Sequence, residues 1–430
     1  MYFDYPNKKA VLADYAAFVS KGKVDFFKKF RMDIVMGKRE GISFYDMETQ
    51  KRLINCHCNG GVYNLGHRNP EIFEALQTGL RDFDIGNHHL ISAARARLGA
   101  RLAELLPGNL SKTVFGVGGG EAIDLAIKLA LGSTGRKKII SAQGGYHGHT
   151  GLALAAGHEQ FRRPFGIQLD NFVQVPFNDI QAMSEAVDEN TAAVLLEPIP
   201  ATLGIVIPGD DYLPAVRRIC RDRGALLIAD EVQTGLGRTG KLWAVDHWKV
   251  EPDILVLGKG LSGGLYPMTA TCFKPELEEI FLKDPFIHIS TFGGSELGCF
   301  PALKVLEISS RPEFLQHVSE LAERFARGFE KIQADVPKPK FTVRQKGLMI
   351  GLKFGEPVQA MALSKLLYDN GIFAVFSGND PSVVQFLPPL VTTFDEADEI
   401  LTILKDSVKG LNSLKTKVLM QTIKIFARDL

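Results

Sequence analysis

An α/β fold, a mostly parallel central sheet covered by helices with a smaller α+β domain attached, is predicted by three observations. Several short runs are apolar throughout rather than alternating, as strands are when helices cover both faces of a parallel sheet. Segments with one apolar helical face fall between those runs. Glycine turns and polar residues stand at the ends of the runs, where open α/β sheets take their ligands.

The elements follow in order. Thr113-Val114-Phe115 reads as a short strand entering a glycine turn. Glu121 to Leu131 reads as a helix, with Ile123, Leu125, Ala126, Ile127, Leu129 and Ala130 mostly apolar. Lys138-Ile139-Ile140 is a strand, and Ala192 to Leu196 is another, ending at Glu197-Pro198. A helix carrying Leu213, Val216, Ile219 and Cys220 on one face comes next. Ala225 to Ala229 and Ile254 to Leu257 complete the run of strands. Beyond about Phe300 the pattern changes. Phe314 to Ile332 is an amphipathic helix, Val336-Pro337-Lys338-Pro339 punctuates the chain, and a smaller α+β unit spans Phe341 to about Leu411. From Leu414 to Leu430, Val418, Leu419, Ile423 and Phe426 recur at helical spacing, as in a terminal packing or oligomer helix. The expected division is an N-terminal segment 1–55 packed with the small domain, a large ligand-binding domain 56–299, and a C-terminal small α+β domain 300–430.

Composition bounds the function. At roughly 150 residues per domain, 430 residues correspond to about two to three domains. The 45% hydrophobic and 23% charged residues are those of an ordinary globular protein. Fifty Lys and Arg against 49 Asp and Glu leave a net charge of +1, which removes the main electrostatic argument for nucleic acid or a membrane surface as partner. No stretch approaches the ~20 apolar residues of a membrane span. Met1 to Ala10 carries Asp4, Lys8 and Lys9 and no signal-peptide core. Five cysteines, Cys56, Cys58, Cys220, Cys272 and Cys299, are too sparse for a disulfide framework and fit a reducing cytoplasm. Cys56-His57-Cys58 is too tightly spaced for the usual zinc pair and has no second Cys/His pair, so no metal is expected.

The chemistry lies at the strand ends. Asp230 directly follows an apolar strand, where an unpaired carboxylate is costly. Lys259 ends the next strand between Gly258 and Gly260, followed by Gly263-Gly264, and such bare backbone lets a bulky flat ligand approach. Gly116-Val117-Gly118-Gly119-Gly120 before a helix offers backbone N–H groups and a helix dipole to a phosphate. It is not a Walker loop, since no Lys-Ser/Thr follows, and Glu121 stands where a dinucleotide fingerprint needs glycine. Gly145-Tyr146-His147-Gly148 places an aromatic ring in a glycine-flanked turn. A lysine amine, a carboxylate for a ring nitrogen, a phosphate cup and a stacking ring are the set that pyridoxal phosphate needs.

From about Gly41 to about Thr393 the chain resembles the class III aminotransferases, of the fold type I pyridoxal-phosphate enzymes. The resemblance rests on Gly66-His67-x-x-Pro70, Tyr146-His147-Gly148, Glu197-Pro198, Asp230-Glu231-Val232-Gln233-Thr234-Gly235-x-Gly237-Arg238-Thr239-Gly240, Pro252-Asp253, Gly258-Lys259-Gly260, Thr291-Phe292-Gly293-Gly294 and Pro388-Pro389-Leu390. It implies that Lys259 is the Schiff-base lysine and proton carrier, and that Asp230 partners the pyridine nitrogen. Val232 and Tyr146 would pack on opposite faces of the ring, and Gln233 would reach its hydroxyl. Gly119 and Gly120 would hold the phosphate by their backbone. Thr291 would reach the phosphate of the neighbouring subunit, which makes a homodimer the active unit. Glu121 and Glu197 have either a supporting or a buried structural role.

Departures from the family pattern bear on the substrate. Val117-Gly118-Gly119-Gly120 stands where the family has an Asn-Ser-Gly-Ser/Thr run, so weaker cofactor retention is expected, with Gly120→Thr as its test. Gln385, His149 and Thr202 stand where glutamate-using or ornithine-type members carry an arginine, a second arginine and a glutamate. Losing bidentate arginine removes a strong carboxylate contact. The alternative is that Arg31, Arg39 or Arg344 supplies the contact from elsewhere. The reading is a cytoplasmic, homodimeric pyridoxal-phosphate aminotransferase with small-molecule donor and acceptor and a non-standard pocket. A racemase or epimerase of the same family is the runner-up. A non-catalytic assembly protein and a nicotinamide oxidoreductase are more distant alternatives.

Overall fold

The computed structural model describes residues 4–426, and the side chains of all of these except 422, 423, 425 and 426. Seven strands form the large sheet: β1 (Lys112–Gly116), β2 (Lys138–Ala142), β3 (Phe172–Val175), β4 (Thr191–Leu196), β5 (Leu226–Asp230), β6 (Ile254–Leu257) and β7 (Thr269–Phe273). Their order across the sheet is β1-β7-β6-β5-β4-β2-β3. From β6 to β3 every neighbour is parallel. β7 alone runs antiparallel, to both β1 and β6.

Layering explains the apolar runs. Every residue of β4 and β6 is buried. Ala193 and Leu195 face one layer, with Ile123, Ile127 and Ala130 of helix α1 (Gly119–Thr134). Val194 and Leu196 face the other, with Leu213, Val216 and Cys220 of a helix spanning Tyr212–Arg223. Each fully buried Val, Leu or Ile side chain is worth about 1.5–3 kcal/mol, so selection for apolar residues acts on both faces.

Two strands lie outside the runs that periodicity picks out. β7 reads Thr-Ala-Thr-Cys-Phe, yet all five residues are buried. Its polar Thr271 is accommodated because the hydroxyl donates to the Ala122 carbonyl at 2.9 Å. β3 is a sheet edge and is mostly half-buried, so its sequence Phe-Val-Gln-Val is weakly marked.

Past the large sheet, the amphipathic helix extends over Pro312–Asp335 and buries Val318, Leu321, Phe325, Phe329 and Ile332. These pack with a four-stranded sheet ordered Phe341–Lys346, Met349–Phe354, Val383–Phe386, Val375–Phe376. Ile42, Ile54 and Cys56 enter the same core, and the strand Arg52–Asn55 pairs in parallel with Ile372–Phe373. A helix spans Leu414–Phe426, with Leu419 against this core. The side chains of Ile423 and Phe426, and residues 427–430, lie outside what is described. Among the described residues no helix is long and apolar enough to cross a membrane.

Candidate active site

β5 ends on Asp230, and β6 runs through Gly258 into Lys259. The two strands are parallel neighbours, so both side chains emerge at the carboxyl edge of the sheet. Asp230 is 4% exposed. Its carboxylate accepts the Val232 backbone N–H at 3.1 Å, and His147 Nδ1 donates to it at 2.8 Å. Burial alone would lower the pKa of His147; the hydrogen bond and charge of Asp230 hold it above the ordinary value. The partner that a carboxylate needs in this position therefore comes from the turn after β2. The sequence reading missed His147 as a partner, although it sits inside the Tyr146-His147-Gly148 motif.

Lys259 has φ 38°, an unusual conformation for a residue with a side chain, set by the abrupt turn between Gly258 and Gly260. Its Nζ donates to Gln233 Oε1 at 3.0 Å. Burial pushes the amine below the ordinary lysine value, against the opposing pull of Asp230 and Glu197. The segment 57–61 abuts it. A Cβ on Gly60 would lie 3.1 Å from Lys259 Cε, and Gly60 has φ 68°, so glycine suits both the space and the backbone. Burial and the Lys259 charge push His57 down to about 4. Cys56 and Cys58 are buried, and burial raises both thiols, Cys58 to about 11.

Glu197 follows β4 and accepts the Tyr146 backbone N–H at 2.9 Å. Burial pushes its carboxyl up to about 7. Glu121 acts elsewhere: its carboxylate folds back to accept the N–H groups of Val117 at 2.7 Å and Gly118 at 3.4 Å, fixing the turn before α1.

These groups surround a cavity of about 250 Å³. Lys259, Asp230, Val232 and Gln233 form one side, Tyr146, His147 and Glu197 another, and Gly119, Gly120, Gly148, His149 and Thr150 close it. Among the described residues lining it, Lys259 is the only lysine or arginine. Close approach requires glycine at 148 and crowds position 120, whereas a Cβ at 119 would make only ordinary van der Waals contact. A Cβ on Gly119 would lie 3.4 Å from Val232 Cγ1, and one on Gly148 would lie 2.6 Å from the Cα of Gly120. A Cβ on Gly120 would lie 2.6 Å from Thr150 Oγ1. A side chain at 120 would therefore have to displace Thr150, which bears on Gly120→Thr as a test of cofactor retention.

The substrate-side expectations divide. His149 lines the cavity and belongs to an aromatic cluster, with ring centroids 5.3 Å from Tyr146 and 5.0 Å from Phe161. Thr202 and Gln385 do not line it. Thr202 Oγ1 donates to the Gly144 carbonyl at 3.3 Å, and buried Gln385 donates to the Ala201 carbonyl at 3.2 Å, so both tie backbone segments together. None of the alternative arginines lines the cavity either. Arg31 and Arg39 are exposed, and Arg344 donates to the Gly204 carbonyl at 2.7 Å. Thr291 is exposed and outside the cavity lining of its own chain.

The donor set suits a flat, phosphorylated pyridine aldehyde, pyridoxal 5′-phosphate. A lysine amine and a buried carboxylate stand on adjacent strand ends, and a glycine turn opens a 16-residue helix beside them. Gln233 Nε2 is buried without a hydrogen-bond partner among the described residues, as a donor awaiting the ring hydroxyl would be.

Comparison with known proteins agrees. The family model for class III aminotransferases matches residues 28–408. An uncharacterized aminotransferase of Archaeoglobus fulgidus is 54% identical over 394 residues, covering 92% of each chain. A putrescine aminotransferase of Pectobacterium atrosepticum is 35% identical over 377 residues, covering 85% of this chain and 81% of its own. Among solved structures, the ornithine aminotransferase of Toxoplasma gondii superposes with a TM-score of 0.85 at 25% identity, covering 95% of this chain and 96% of its own.

Proposed function

The chain belongs to the class III aminotransferase family, and on that premise we propose that it moves an amino group from an amine without an α-carboxylate to a carbonyl acceptor. Pyridoxal 5′-phosphate is the cofactor. When bound, it supplies an aldehyde that exchanges with amines and a ring that draws electron density from the substrate carbon. The observation that carries the donor class is the cavity wall: Lys259 is the only lysine or arginine among the described lining residues, so a substrate carboxylate meets no guanidinium there. A diamine-using relative, the putrescine aminotransferase, supports the same class.

In this reading Lys259 would hold the cofactor's aldehyde and carry the proton that moves at the substrate carbon. Its burial favours the neutral amine, the form able to accept a proton. Asp230, fixed by His147 and the Val232 amide, would face the ring nitrogen and favour its protonated form. Val232 and Tyr146 would pack on the two ring faces, Gln233 would donate to the ring hydroxyl, and the amides of Gly119 and Gly120 would hold the phosphate.

Three coarser proposals accompany it. The unit is a homodimer. Leu90, Ile91, Phe286, Ile287, Ile289 and Phe292 are exposed, and the loops that carry them meet where the His89 and Phe286 rings lie 5.6 Å apart. An apolar surface of this kind marks an interface, and Thr291 in the second loop would reach the partner's phosphate. The chain divides into a cofactor-binding domain 56–299 and a small domain 300–430, with 1–55 packed beside the latter. The five free, buried cysteines suit a reducing compartment, which we take to be the cytoplasm.

Lys259→Ala is the test. It should remove measurable turnover while the chain stays folded, and full activity in that variant would overturn the assignment.

A further inference from the structure

We propose that Thr150 is a ligand of the cofactor's phosphate and supplies the hydroxyl that the turn Val117-Gly118-Gly119-Gly120 lacks. Thr150 is the N-cap of the short helix α2 (Gly151–Ala156). A threonine there ordinarily turns its oxygen back to accept an amide of the first helical turn. This one does not. Asp124, from α1, has taken that acceptor role: its Oδ1 accepts the Ala153 N–H at 2.7 Å. The Thr150 hydroxyl consequently makes no hydrogen bond among the described residues.

Its position gives it another use. Thr150 lines the cavity together with Gly119, Gly120 and Lys259. Thr150 Oγ1 lies 2.6 Å from where a Cβ on Gly120 would be. Gly119 and Gly120 are the first residues of α1, whose opening amides have no acceptor within the helix. The helix dipole favours an anion at that end. A free hydroxyl therefore stands beside free amides, in the space that a hydroxyl-bearing side chain at 120 would occupy. Gly120 and Thr150 compete for one space: a side chain at 120 would have to displace the hydroxyl that comes from the second turn.

The inference rests on pyridoxal 5′-phosphate binding, and its test separates the two. Cofactor-free full-length chain is titrated with pyridoxal 5′-phosphate and, separately, with pyridoxal, which has no phosphate. Thr150→Val should weaken binding of the phosphorylated form about tenfold or more, the scale of a lost hydrogen bond to a charged group. It should leave pyridoxal binding unchanged, and Thr150→Ser should bind both like wild type. Equal weakening of both ligands, or no weakening of either, would overturn the role of Thr150. A wild-type chain that binds no pyridoxal 5′-phosphate would overturn the cofactor reading along with it.

Discussion

A carboxylate at the end of a buried strand is stable only if something charged or hydrogen-bonding meets it. Asp230 is met by His147, 83 residues away in sequence, at 2.8 Å. His147→Phe keeps a ring in the space and removes the donor. It should lower kcat by roughly tenfold to a hundredfold, the range for a hydrogen bond to a charged group, in steady-state assays; an unchanged kcat would show that the Val232 amide alone suffices to hold Asp230. The residues that sequence marks best here are those with unusual surroundings in the chain itself. Lys259 between glycines and Asp230 after an apolar run are of this kind. His147 and Thr150 are not. Each is an ordinary residue in its own turn and gains its role only when the turn after β2 reaches the end of β5 across the intervening β4 and α2 packs beside α1, a juxtaposition that local spacing does not encode.

The elements follow the same division. β4 and β6 are legible because both of their faces are buried under helices, and a continuous apolar run is the direct result. β7 is equally buried but carries two threonines, one of them paired to the Ala122 carbonyl, so its pattern does not announce a strand. It runs antiparallel to β6, the strand that precedes it in the chain. Helix α1 begins at Gly119, two residues before the first strong helix former, because Glu121 folds back onto the amides of Val117 and Gly118. The segment 57–61 shows the limit more sharply. Cys58 and Asn59 adopt φ 51° and 49°, a conformation that their side chains disfavour, and the chain accepts it where Gly60 backs onto Lys259. Cys56-His57-Cys58, too tightly spaced for the usual zinc pair, has both thiols buried in the fold, and Cys58 donates to the Asn55 carbonyl at 3.4 Å.

At the scale of the molecule, the exposed apolar loops and the missing guanidinium pose one question each. The loops imply a partner. Wild-type chain should sediment at twice its own mass at micromolar concentration, and Ile91→Asp, which places a charge at a fully exposed apolar position, should shift it toward monomer. A wild-type monomer would contradict the dimer. The cavity wall implies the donor. The most direct measurement follows the visible absorption band of the bound cofactor in the wild-type chain while putrescine or glutamate is added. Putrescine should bleach the band and a carbonyl acceptor restore it, with glutamate at least about tenfold slower for want of a bidentate partner. Bleaching by glutamate and by no amine lacking an α-carboxylate would contradict that donor class.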